Sequence, residues 1–312
     1  MSMVQYSCWS NCNGSCDFCL RRERIPYDKN YMLCSLRAIR HNIDKVDWNG
    51  EYSDGISLLG GELYNITDTD VQDEFLRLVD DIIVKVLRVS PNKNVRYSTV
   101  TNGQYDPAFL FRVLDKISDA CGTQAVDINF SYDLKYRYKT EDMRKLALEN
   151  INKVHDRYDY RVGVQMILTQ YVIDSVRNGT WSIDKFLKED IPGNGLCFLY
   201  PHPIHTGIKL DDFFFKREDL LNFVLYLRTY FPDIHASFLF STQNSGIFKA
   251  TGLIDKRFRE DFSLADQQPR LSDGKEEINP VCGHSTLYQC YSDSDACLLC
   301  DLQSMDAGMG DF

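Results

Sequence analysis

The chain has no run of eighteen apolar residues, so nothing in it is long enough to cross a bilayer as a helix. Its first residues, MSMVQYSCWSNC, lack the basic start and apolar stretch of a secretory signal, and the expectation is a cytoplasmic protein without a membrane partner. Positive charge is in short supply. Thirty-five Lys and Arg face 45 Asp and Glu, a net charge of −10. That disfavours avid, nonspecific binding to a phosphate backbone. It leaves a local basic groove open, because net charge says nothing about distribution. There is no internal repeat and no low-complexity tract. With 44% hydrophobic and 26% charged residues, a core of ordinary size can be buried.

Cysteine is abundant, at 11 residues. Without a secretory signal, a disulfide framework is the weaker reading and a metal or cluster role the better one. Four cysteines lie between residues 8 and 19, and four between 282 and 300. Cys34, Cys121 and Cys197 stand apart among apolar neighbours and read as small buried hydrophobes.

Short apolar runs alternate with helical patterns. Strands are expected at 4–8, 55–62, 95–103, 125–133, 161–170 and 196–201. Helices are expected near 31–46, 70–89, 107–120, 140–154, 183–187 and 217–231. Asp106 and Thr140 read as helix caps. Six strand–helix units imply parallel strands joined by crossovers, in an open α/β sheet or a barrel. Reactive loops in such folds lie at the C-terminal strand ends. The pattern changes after residue 231. The chain therefore divides into 1–231 and a cysteine-rich extension, 232–312.

The run CWSNCNGSCDFC occupies residues 8–19. Cys12, Cys16 and Cys19 give a three-then-two spacing, with Gly14 to let the loop turn. Counting from Cys8 would need a cysteine at position 15, which is Ser15, so Cys8 falls outside the triad. Thiolates are the ligands of iron–sulfur clusters, and three of them leave one iron of a cube open. Zinc is the alternative, but it wants a fourth ligand, and no histidine precedes His41.

These features resemble the radical S-adenosylmethionine superfamily over about residues 1–231. Its signature is a CxxxCxxC loop after the first strand with an aromatic residue before the last cysteine, here Phe18. Gly60-Gly61-Glu62 matches its motif at the end of the second strand. Thr101-Asn102-Gly103 and Ser131-Tyr132-Asp133 match frequent endings of the third and fourth. The resemblance implies a partial (βα)6 TIM-like barrel, a [4Fe–4S] cluster on Cys12, Cys16 and Cys19, and S-adenosyl-L-methionine chelating the open iron. Reductive cleavage would yield a 5′-deoxyadenosyl radical that abstracts hydrogen from substrate. An electron donor such as flavodoxin or ferredoxin is implied with it.

Carried over residue by residue, Gly60 and Gly61 admit close backbone approach to the ligand, and Glu62 meets its ammonium. Asn102, Ser131 and Asp133 are candidates around the cofactor, the last two for ribose hydroxyls. Lys135 or Arg137 could meet the carboxylate, against a plain reading as solvated charges. A family-like adenine motif is missing from the fifth strand, where Gly163-Val164-Gln165-Met166-Ile167 is only loosely similar.

Cys282, Cys290, Cys297 and Cys300 offer four soft ligands in one short segment. They resemble the auxiliary-cluster extensions called SPASM or twitch domains, with departing spacing. A second [4Fe–4S] cluster is the leading reading there, and structural zinc the alternative. His202 and His205 flank Pro203 just after the sixth strand, where substrate contact competes with loop packing. The substrate reading is a peptide or small amino-acid-derived molecule, with a nucleotide or nucleic-acid base as the alternative. A zinc-binding interaction module is the reading from another class.

Overall fold

Strand character here comes from short runs in which every second side chain turns inward. In β4 (Val126–Tyr132), Val126, Ile128, Phe130 and Tyr132 are buried and the residues between them are half-exposed. The same alternation runs through β5 (Gly163–Ile167) and β6 (Gly195–Leu199). It is the period expected of side chains on a pleated strand. In β2 (Ser53–Leu59) the alternation gives way to continuous burial from Gly55 to Leu58, as in a strand covered on both faces. The first and third strands are β1 (Ser2–Ser7) and β3 (Arg96–Thr101). The computed structural model describes residues 2–14, 16–19, 26–46, 48, 53–89, 95–159, 162–199 and 217–234. The four cysteines from Cys282 to Cys300, His202, His205 and the extension beyond Ile234 lie outside the described residues.

The architecture is α/β. Six strands form one sheet in chain order, β1-β2-β3-β4-β5-β6. The β1–β2, β2–β3 and β5–β6 pairs are parallel. Between the strands run α1 (Lys29–Ile43), α2 (Thr69–Ile82), α3 (Ala108–Cys121), α4 (Glu141–Tyr158), α5 (Gln170–Arg177) and α6 (Ile183–Lys185). A further helix, α7 (Arg217–Tyr230), follows. Side-chain caps start several of them: Asp28, Asp68, Thr140, Thr169 and Ser182 each accept a backbone N–H from the first turn.

The described residues fall into two compact units. One holds residues 2–14 and those from 26 to Asn129; the other holds residues 16–19 and those from Phe130 to Ile234. In the first, Phe75 is the hub of an aromatic core, with Trp9 at 6.1 Å, Tyr64 at 6.0 Å and Phe109 at 5.6 Å between ring centroids. Arg40 of α1 ties to α2 through Glu74 (2.8 Å) and Asp81 (2.6 Å). In the second, Tyr132 packs on Phe186 at 5.1 Å, and Phe198 on Phe223 at 5.4 Å.

Three sequence expectations need correction. Cys34 is exposed, because α1 turns Tyr31, Met32, Ser35, Leu36 and Ile39 inward and Cys34 falls off that stripe. Cys121 and Cys197 are half-buried, not sealed in the core. The fifth strand ends at Ile167, and Thr169 caps a helix, α5, that the strand pattern had concealed. The helix expected to run to Val89 also changes character, since Ile83–Leu87 widens into a π-helical turn.

Candidate functional site

Parallel register sets the ends of neighbouring strands side by side. Ser7 pairs with Leu59, and Leu58 with Thr99. Within the first unit, this brings the start of the cysteine loop, Gly60-Gly61-Glu62 and Asn102 to one end of the sheet. Cys8 leaves β1 fully buried, its N–H bonded to the Leu59 carbonyl at 2.8 Å.

The two glycines let one chain segment lie on another. A Cβ at Gly61 would meet the Asn11 carbonyl oxygen at 2.1 Å, and one at Gly60 would meet Leu63 at 2.4 Å. Gly61 and Glu62 donate backbone N–H groups to Trp9 O (2.7 Å) and Asn11 O (2.9 Å). Trp9 Nε1–H returns to Glu62 O at 3.1 Å. The close approach expected of these glycines is thus made first with the protein's own loop.

Glu62 is 2% exposed. Its Oε1 accepts from Thr101 Oγ1 (2.8 Å) and Tyr64 N (3.2 Å), and its Oε2 from Asn102 N (2.7 Å). The Thr101 hydroxyl spends its one proton on Glu62, so Tyr105, at 2.6 Å from Thr101 Oγ1, must donate to it.

Cys12 sits in a ring of amides. Its sulfur accepts from Gly14 N (3.2 Å) and from Asn102 Nδ2 (3.6 Å), the longer distance suiting a large sulfur acceptor. Asn102 Nδ2 also donates to Asn13 Oδ1 at 2.8 Å. Gln104 orients both amides: its N–H donates to Asn102 Oδ1 (2.8 Å), and its carbonyl accepts from Asn13 Nδ2 (2.6 Å). Asn13 and Gln104 were not singled out in the sequence. The only signal for Asn13 is its place inside the CxxxC spacing.

In the second unit, Cys16 and Cys19 share one turn, closed by Cys19 N–H to Cys16 O at 3.2 Å. Phe18 is buried and meets Tyr136 edge-on at 6.5 Å, and the Arg137 guanidinium lies 5.3 Å over its ring. Burial pushes the Cys16 thiol up, while the Arg137 charge pulls it down. Asp133 is 1% exposed. Its Oδ1 accepts the N–H groups of Lys135 (2.7 Å) and Tyr136, so it shapes the loop after β4, and burial raises its carboxyl above the ordinary value. Ser131 stands half-buried near the end of β4. Lys135 lies over the rings of Tyr136 (4.8 Å) and Tyr171 (4.9 Å). A cleft of ≈ 380 Å³ opens beside this loop, lined by Lys135, Lys139, Arg144, Tyr171 and Trp181 among others, and no cysteine lines it.

Among the described residues, no three His, Cys, Asp or Glu side chains converge as ligands of one metal ion. No helix there is long and apolar enough to cross a membrane. No protein-family model matches the chain, and no curated protein matches it either.

Proposed function

We propose that the chain is a radical S-adenosylmethionine enzyme built on a partial (βα)6 TIM-like barrel, with a [4Fe–4S] cluster held by Cys12, Cys16 and Cys19. The observation that carries the reading is the three-thiol loop issuing from the end of β1, with two N–H donors already aimed at the Cys12 sulfur. Such donors favour a thiolate, the form in which cysteine binds iron. When bound, the cluster would supply the electron that cleaves a carbon–sulfur bond of S-adenosylmethionine.

The chain's own part is positional. Glu62, a buried carboxylate just past the end of β2, is assigned to the ligand ammonium. Arg137 and Phe18 cover the Cys16–Cys19 turn and give it a cationic, apolar wall. The reading extends to a second [4Fe–4S] cluster, with zinc as the alternative, at Cys282, Cys290, Cys297 and Cys300, and to a peptide or small amino-acid-derived substrate. Both rest on the likeness of that segment to auxiliary-cluster extensions.

Anaerobic reconstitution with iron and sulfide, followed by dithionite and S-adenosylmethionine, is expected to give 5′-deoxyadenosine, and Cys16→Ala is expected to give none. Equal, background yields from the two proteins would sink the reading. Zinc by elemental analysis in protein purified without oxygen, with no absorption near 400 nm, would favour an interaction module instead.

A further inference from the structure

The amide of Asn102 has one orientation available. Its Oδ1 must face the Gln104 N–H, because a backbone N–H can only donate. Its Nδ2 therefore faces Asn13 Oδ1 and Cys12 Sγ. Asn13 is oriented independently, since the Gln104 carbonyl can only accept and takes Asn13 Nδ2. One residue's backbone thus fixes the direction of both side-chain amides, and each is consistent with the other. Asn102 is 5% exposed, so water competes little for this donor.

Resting on the cluster reading above, we infer that Asn102 is a positioning residue that raises the cluster's reduction potential through its Nδ2–H bond to the Cys12 sulfur. Reduction adds one electron from an external reductant to the cluster and breaks no bond in the protein. The added negative charge spreads partly onto the sulfurs, and a hydrogen bond to sulfur stabilises the more negative state. The donor acts with little competition from solvent and does not reorganise, because Gln104 holds it.

The test is the midpoint potential of anaerobically reconstituted protein, read by EPR during dithionite titration. Asn102→Ser keeps an acceptor for the Gln104 N–H but cannot reach the sulfur. Asn102→Asp keeps the shape and the same acceptor but sets an oxygen against the sulfur. The expected order of potential is wild type, then Asn102→Ser, then Asn102→Asp as the lowest. Asn13→Ala is the control for loosening of the loop, since it removes the clamp to Gln104 while leaving the Asn102 donor free for sulfur; it is expected not to lower the potential. Unchanged potentials in both Asn102 variants would overturn the inference, as would an equal fall in Asn13→Ala. Wild-type protein that binds no iron and sulfide would overturn the cluster reading and the inference together, and iron analysis separates that outcome from the others.

Discussion

At the scale of single residues, the chain places carboxylates where backbone donors gather. Asp133 is the sharper case, with two loop N–H groups on one oxygen. Asp133→Ala strands those donors and is expected to cost about 1 kcal/mol or more in urea unfolding. Asp133→Asn keeps an acceptor and is expected to cost less. Because the folded carboxyl is raised from 3.8, its protonated form is favoured in the native state. The stability of wild type relative to Asp133→Asn is then greatest below pH 3.8 and declines as pH rises through the raised value. A difference that grows with pH would refute the burial account. The sequence made Asp133 visible as a strand-end acid, and likewise Glu62. It could not show that both turn back onto their own chain, because that depends on where N–H groups point after the loops close. Asn13 and Gln104 were invisible for the same reason: an amide's role here lies in an orientation that spacing does not encode.

At the scale of elements, one guanidinium of α1, Arg40, grips two carboxylates of α2. Glu74 is 4% exposed and shares its carboxylate between Arg40 and the more exposed Arg77. Arg40→Ala leaves that buried charge to a solvated partner at 3.2 Å. The expected loss is about 2 kcal/mol, below the usual figure for orphaning a buried charge because Arg77 remains. Arg40→Ala combined with Glu74→Gln is expected to recover part of it in a double-mutant cycle; full additivity would mean that the two side chains do not couple. Helices with a wide apolar stripe were legible from the sequence, as in α2 and α3, where Phe75, Val79 and Ile82, or Leu110, Val113 and Ile117, recur at three and four. The helix α5 was not legible. It has eight residues, its apolar positions continue those of β5, and only Thr169, a cap whose hydroxyl accepts the Val172 N–H, marks the break.

At the scale of the whole molecule, a net charge of −10 sets behaviour toward polyanions. The protein is expected to flow through a heparin column at physiological salt; retention that falls with added salt would reveal a concentrated basic face. The α/β class followed from the alternation of strand and helix patterns, since parallel neighbours need a crossover between them, but the chain order of the sheet did not, because an open sheet with another order fits the same alternation. The extent of each of the first five strands was overread by one to three residues at its C-terminal end, as in β2 and β5, because the loops there are also apolar or glycine-rich. Those same loops carry a thermodynamic consequence. The clamp of Trp9 and Asn11 onto Gly61 and Glu62 is made by the chain's own backbone and the Trp9 indole. Ordering a residue costs about 1–2 kcal/mol of backbone entropy, and for the stretch leading into the cysteines that cost falls within folding itself. The loop is thus anchored at one end, and the amides of Gly61 and Glu62 are expected to exchange slowly with deuterium.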